Sequence, residues 1–134
     1  MPLASHSLTD DEFLAAFHSC RLPKEQFHNL DHFRLAWLHL HRESQPEAET
    51  RVREGIIAFA AHLGASKKYH ETITVAWLRL VATHREPTFE EFIRKNEAIL
   101  NLDTLHRFWS PELLASDRAR REWVPPDLQE LPRA

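Results

Sequence analysis

At 134 residues the chain has the length of one domain, enough to bury about two-thirds of its unfolded surface. Its 17 basic and 20 acidic residues give a net charge of −3, which excludes a dedicated nucleic-acid binder, because that affinity rests on clustered Lys and Arg. One cysteine excludes an internal disulfide, and the longest apolar runs fall far short of the roughly 18–20 residues of a membrane helix. The opening MPLASHSLTDDEF has neither a basic nor an apolar leader region, so no signal peptide is expected and the protein is placed in the cytoplasm.

Two glycines against eight prolines point to helices parted by proline-marked turns. The first helix is predicted over 9–21: Thr9 caps it, Asp10, Asp11 and Glu12 suit the positive end of its dipole, and Phe13, Phe17 and Cys20 repeat at helical spacing. Cys20 then reads as inert core. After Pro23 a second helix covers 29–43, capped by Asn29, with Leu30, Phe33, Trp37 and Leu40 on one side. Pro46 separates it from a third over 47–63, whose Val52, Ile56, Phe59, Ala60 and Leu63 form one apolar face, with Gly64 marking its end.

A fourth helix, over about 70–84, turns Ile73, Trp77, Leu80 and Val81 inward. Thr88 caps a fifth that carries Phe89, Phe92 and Ile93, with Glu91 at the capping-box position. Shorter helical pieces follow around 102–109 and 111–121, and Arg118, Arg120 and Arg121 read as a solvated face. Residues 119–134 read as an extended, proline-broken tail, with Trp109 and Trp123 as core beside the breaks. AWL recurs at 36–38 and 76–78, but the flanks do not align and chance explains it. The expectation is a single all-α domain over 1–134, a compact bundle of about five helices with an extended proline-containing C-terminal tail.

The concentrated chemistry is histidine, ten residues in all. On a helical wheel His28, His32 and His39 share one stripe, and an H-x-x-x-H pair offers two imidazoles to one ion from a single turn. His70 falls at the centre of the fourth helix's apolar face, among Ile73, Thr74, Trp77 and Val81, so it is either a hydrogen-bonded core residue or a ligand. His28, His32 and His70 together compose a three-histidine site for a divalent ion, Zn, Ni, Mn or Fe. Glu71 beside it is the natural general base, and Asp31 an orienting group or fourth ligand. His18, His41, His62, His84 and His106 read as surface or structural residues.

The strings FHNLDHFRLAWL, KYHETITVAWLRL, SPELLAS and WVPPDLQELP resemble those of a bacterial family of short helical proteins. The resemblance covers most of the chain and implies a shared fold without an activity. The histidine pair followed by a distant histidine on another helix is similar in pattern to DinB/YfiT-like bundles, whose resemblance implies a three-histidine metal site.

The preferred reading is a metal-binding helical protein, a small metal-dependent enzyme of hydrolytic or transfer type acting on a small molecule. The alternatives are a small-ligand or haem-binding module without chemistry, and a structural or regulatory interaction protein, as a homodimer, whose core histidines titrate between pH 5 and 8.

Overall fold

The computed structural model describes residues 8–133, and of residues 99 and 100 only the backbone. The first seven residues, part of the segment in which no signal peptide is expected, and Ala134 lie outside it. All regular structure among the described residues is helical, the all-α class that the sequence pattern predicts. No described helix is long and apolar enough to cross a membrane. The chain divides into two compact units that join in sequence between Tyr69 and His70.

The first unit contains α1 (Asp10–His18), α2 (Asn29–Arg42) and α3 (Gln45–His62), with short 3₁₀ turns at Lys24–Gln26 and Ser66–Lys68. Thr9 closes α1 as predicted: its hydroxyl accepts the Glu12 N–H at 3.1 Å, and the Glu12 carboxylate accepts the Thr9 N–H at 2.9 Å. The helix stops three residues short of the predicted end. Cys20 takes a left-handed conformation (φ 59°), the Arg21 N–H bonds back to the Ala16 carbonyl, and the Cys20 N–H to that of Phe17. That is the geometry of a Schellman cap, with cysteine where glycine usually stands. Cys20 is therefore half-buried at a helix end and is not part of α1's apolar face. Gly64 (φ 69°) closes α3 the same way, as its position predicts.

Pro46 sits in the first turn of α3, which Ser44 caps, and not in a break before it, because a first-turn proline needs no N–H partner. Salt bridges join Arg34 to Asp10 (2.9 Å) and Arg42 to Asp11 (2.8 Å), and the Arg34 guanidinium lies 4.5 Å from the Phe13 ring centre. Phe17, Phe27 and Phe59 form an aromatic knot with ring centres 5.0–5.3 Å apart. Residues Leu35, Ala36, Trp37, Leu38 and His39 are buried in succession, so α2 is covered all round where the sequence suggests a one-sided helix.

The second unit contains α4 (Glu71–Val81), α5 (Phe89–Lys95), α6 (Pro111–Leu114) and α7 (Asp117–Arg121), with 3₁₀ turns at Glu97–Leu100 and Leu102–Arg107. Thr88, Ser110 and Ser116 cap α5, α6 and α7 through their hydroxyls. Its core gathers Ala76, Leu80, Leu105, Phe108, Trp109, Leu114, Ala119 and Val124. From Glu122 to Arg133 the chain is not helical, and side chains hold it down. The Thr72 hydroxyl donates to the Glu122 carbonyl (2.8 Å) and accepts the Val124 N–H (3.2 Å), and the Trp109 indole donates to the Val124 carbonyl (3.0 Å). Asp127 accepts from both the N–H and the hydroxyl of Ser110 (2.8 and 2.7 Å).

Thr72 is fully buried, so Thr72→Val keeps the shape and leaves the Glu122 carbonyl and Val124 N–H without their partner. We expect a loss of about 1–3 kcal/mol in urea denaturation. The two Ser110 hydrogen bonds hold the Asp127 carboxyl below its ordinary pKa of 3.8, with burial opposing them only weakly. Its contribution is thus present above that unfolded value and is lost as the pH falls through the lower folded one. The stability gap between the protein and Asp127→Ala should be constant at neutral pH and close below pH 3.8.

Candidate functional site

Histidine roles in this chain follow from what each ring nitrogen touches. His70 is the N-cap of α4 and lies outside the helix. Its Nδ1 accepts the Ile73 N–H at 3.1 Å, and its Nε2–H donates to the Leu114 carbonyl at 2.8 Å. Two backbone partners of opposite kind fix one neutral tautomer and occupy both nitrogens. The helical wheel aims His70 down the apolar face. One residue before the helix, the ring instead bends over the first turn, as a capping Asn or Asp does. Glu71, the predicted general base, is the first residue of α4 and is buried.

His28 is likewise an N-cap, of α2, and is exposed. Its backbone N–H donates to Asp31, whose carboxylate is 1% exposed, at 2.9 Å. The predicted orienting carboxylate thus closes the helix start. His32 remains exposed, with Nδ1–H donating to the His28 carbonyl at 3.0 Å and its ring 4.2 Å from that of Phe27. Partial removal from water lowers its pKa, against smaller opposite effects of the His28 carbonyl and Asp31. His28 and His32 belong to the first unit, His70 and Glu71 to the second. Among the described residues no three His, Cys, Asp or Glu side chains are grouped to hold a metal ion.

The first unit does bring two other histidines together. His39, 4% exposed in the third turn of α2, places Nδ1 at 2.9 and 3.1 Å from the two carboxylate oxygens of Glu43, one turn further on. Its Nε2 lies 2.9 Å from the Nε2 of His18, the last residue of α1, with the rings edge to face (centres 5.1 Å apart, 79° between planes). Arg51 reaches the same Glu43 oxygen at 3.3 Å. With the Glu43 carboxylate accepting from the His39 Nδ1–H, the His39 Nε2 presents a lone pair that accepts from the His18 Nε2–H. Burial, then His39 and Arg51, push the His18 pKa down, while Glu43 pulls it up more weakly. His18 is therefore biased toward its neutral form.

Gly55 lies directly under this meeting. A Cβ there would stand 2.8 Å from the Phe17 ring and 3.0 and 3.2 Å from the His18 ring, so any other residue would force one or both rings to move. Helical spacing alone sets His18 among the surface residues. The signals that point to it are a lone glycine inside an otherwise regular helix and the i, i+4 pair His39 and Glu43. Two further histidines have local partners: His41 packs on Trp37 at 3.9 Å and bonds to its carbonyl, and His84 lies 3.4 Å from Glu86, while the buried Nδ1 of His106 has no hydrogen-bond partner.

No protein-family model, curated protein or solved structure matches the chain. Its chemistry is read from these side chains. Because His70 closes a helix and holds α6 at once, His70→Ala should cost roughly 2 kcal/mol in denaturant unfolding. His70→Asn, which keeps an acceptor for the Ile73 N–H, should recover part of that loss.

Proposed function

We propose that this chain is a divalent-metal-binding helical protein whose metal-facing imidazoles are those of His18 and His39. The observation that carries the reading is the 2.9 Å approach of the two Nε2 atoms, with Glu43 behind His39. Histidine ligands commonly have a carboxylate on the outer ring nitrogen, where it fixes the tautomer and raises the basicity of the inner one. Two nitrogens bound to one tetrahedral ion at 2.0–2.1 Å stand about 3.3 Å apart. A few tenths of an ångström of opening would convert the pair from sharing a proton to sharing a metal.

Among Zn, Ni, Fe and Mn, imidazole suits Zn and Ni best, with Fe next and Mn least favoured. A centre with two protein ligands leaves its other positions to water and to a small molecule, which is the opening that hydrolytic or transfer chemistry requires. The reading goes with a cytoplasmic setting, in line with a lone thiol and no disulfide.

The test is metal content of the untagged protein after exposure to Zn(II) or Ni(II), followed by titration of the variants. The expected result is about one ion per chain, at least a tenfold loss of affinity in His18→Ala and His39→Ala, and a loss of about tenfold to a hundredfold in Glu43→Gln. His70→Ala and His32→Ala should bind as the parent does. A parent that holds no stoichiometric metal overturns the function. If His32→Ala loses the ion while His39→Ala keeps it, the assignment to the His18–His39 pair fails and the site moves to the first turn of α2.

A further inference from the structure

The second unit contains a cavity of about 460 Å³, within the range of small-molecule sites. Leu80 and Phe108, both buried, supply its apolar floor. Most of its polar walls are already bonded: the Thr83 hydroxyl donates to the Leu80 carbonyl (2.7 Å) and that of Thr104 to the Ala98 carbonyl (2.8 Å). The Asn96 amide bridges Glu86 and the Phe92 carbonyl (3.3 and 2.8 Å).

Arg107 differs. It is exposed, its guanidinium lies 5.8 Å from the Phe108 ring centre, and among the described residues it makes no hydrogen bond or ion pair. Five donors on a planar fork therefore face a cavity with an apolar floor. Beside them His84, also in the lining, turns Nδ1 toward Glu86 (3.4 Å). Glu130 on the rim and Glu86 behind His84 add negative charge near the guanidinium, so each further negative charge on a ligand is opposed more strongly than the first.

We propose that this cavity binds a small-molecule monocarboxylate with an apolar body, its carboxylate on Arg107 and its body on Leu80 and Phe108. A bidentate guanidinium–carboxylate contact supplies orientation, and the apolar floor supplies burial. A phosphate dianion would add twice the negative charge of a monocarboxylate beside the same two carboxylates and offers no apolar body, and a purely apolar molecule would leave the guanidinium unused. The site is independent of the metal reading, since every residue that lines it belongs to the second unit.

The experiment titrates 4-phenylbutyrate into the full chain and follows backbone amide shifts by NMR, with 4-phenylbutyramide and inorganic phosphate as comparisons. The expected result is saturable binding of the acid, with shifts centred on Thr83, His84, Arg107 and Gln129. The neutral amide and Arg107→Gln should each weaken binding by about tenfold or more, while the melting temperature of the variant stays unchanged. Ala98→Trp, which fills the cavity from its exposed edge, should abolish binding with the guanidinium intact. Failure of the acid to saturate, equal binding of acid and amide, parent-like binding by Arg107→Gln or Ala98→Trp, or shifts centred elsewhere would each overturn the site. Tighter binding of phosphate than of the acid would overturn the monocarboxylate class.

Discussion

Short helices leave many backbone groups without partners, and this chain satisfies them with side chains. Each α-helix ends with four N–H and four C=O groups outside its own ladder, so short helices such as α5, α6 and α7 have more terminal groups than internal ones. Thr9, Ser44, His70, Thr88, Ser110 and Ser116 each accept an N–H at a helix start. His70 does more than the hydroxyls, because its second nitrogen donates across to Leu114 and ties the start of α4 to the end of α6. Thr72 and Trp109 extend the same device to the C-terminal segment, whose prolines lack an N–H of their own and whose backbone forms no ladder.

The same constraint sorts the histidines. An imidazole whose two nitrogens meet a backbone donor and a backbone acceptor is a structural group, and His70 is one. An imidazole with a carboxylate on one nitrogen and another imidazole on the other has its proton on the carboxylate side and a lone pair turned to the second ring, and His39 is that. Burial strengthens the difference: His39 is almost wholly enclosed, so Glu43 acts on it with little screening. Side-chain type alone does not separate the two residues, since both lie on or beside helices rich in apolar neighbours.

Glycine use shows where close approach matters. A glycine within a helix costs about 1 kcal/mol relative to alanine, and α3 accepts that at Gly55 because the Phe17 and His18 rings occupy the space of its Cβ. Cys20 shows the opposite choice. A left-handed residue after α1 is a cysteine, which strains where glycine would not, and its sulfur lies 4.0 Å from the Ala58 carbonyl of α3. Both positions sit where α1 meets α3, next to the histidine pair.

Helical spacing and capping residues by themselves determined the all-α class, the start of α1 at Thr9, the end of α3 at Gly64 and the cap of α5 at Thr88, because these depend on groups within a few residues of one another. The same local signals misjudged α2. A wheel assigns one buried side, while the five residues from Leu35 to His39 are all buried. Histidine abundance was legible, and the grouping was not. His18 and His39 lie 21 residues apart, on different helices, and meet where the His18 ring packs over Gly55 of α3. His70 looked like a core ligand on its own helix, and its role was decided by Leu114, 44 residues away. Local chemistry selects where helices begin and end; which two side chains share a proton or an ion is set by packing between segments that the sequence does not place side by side.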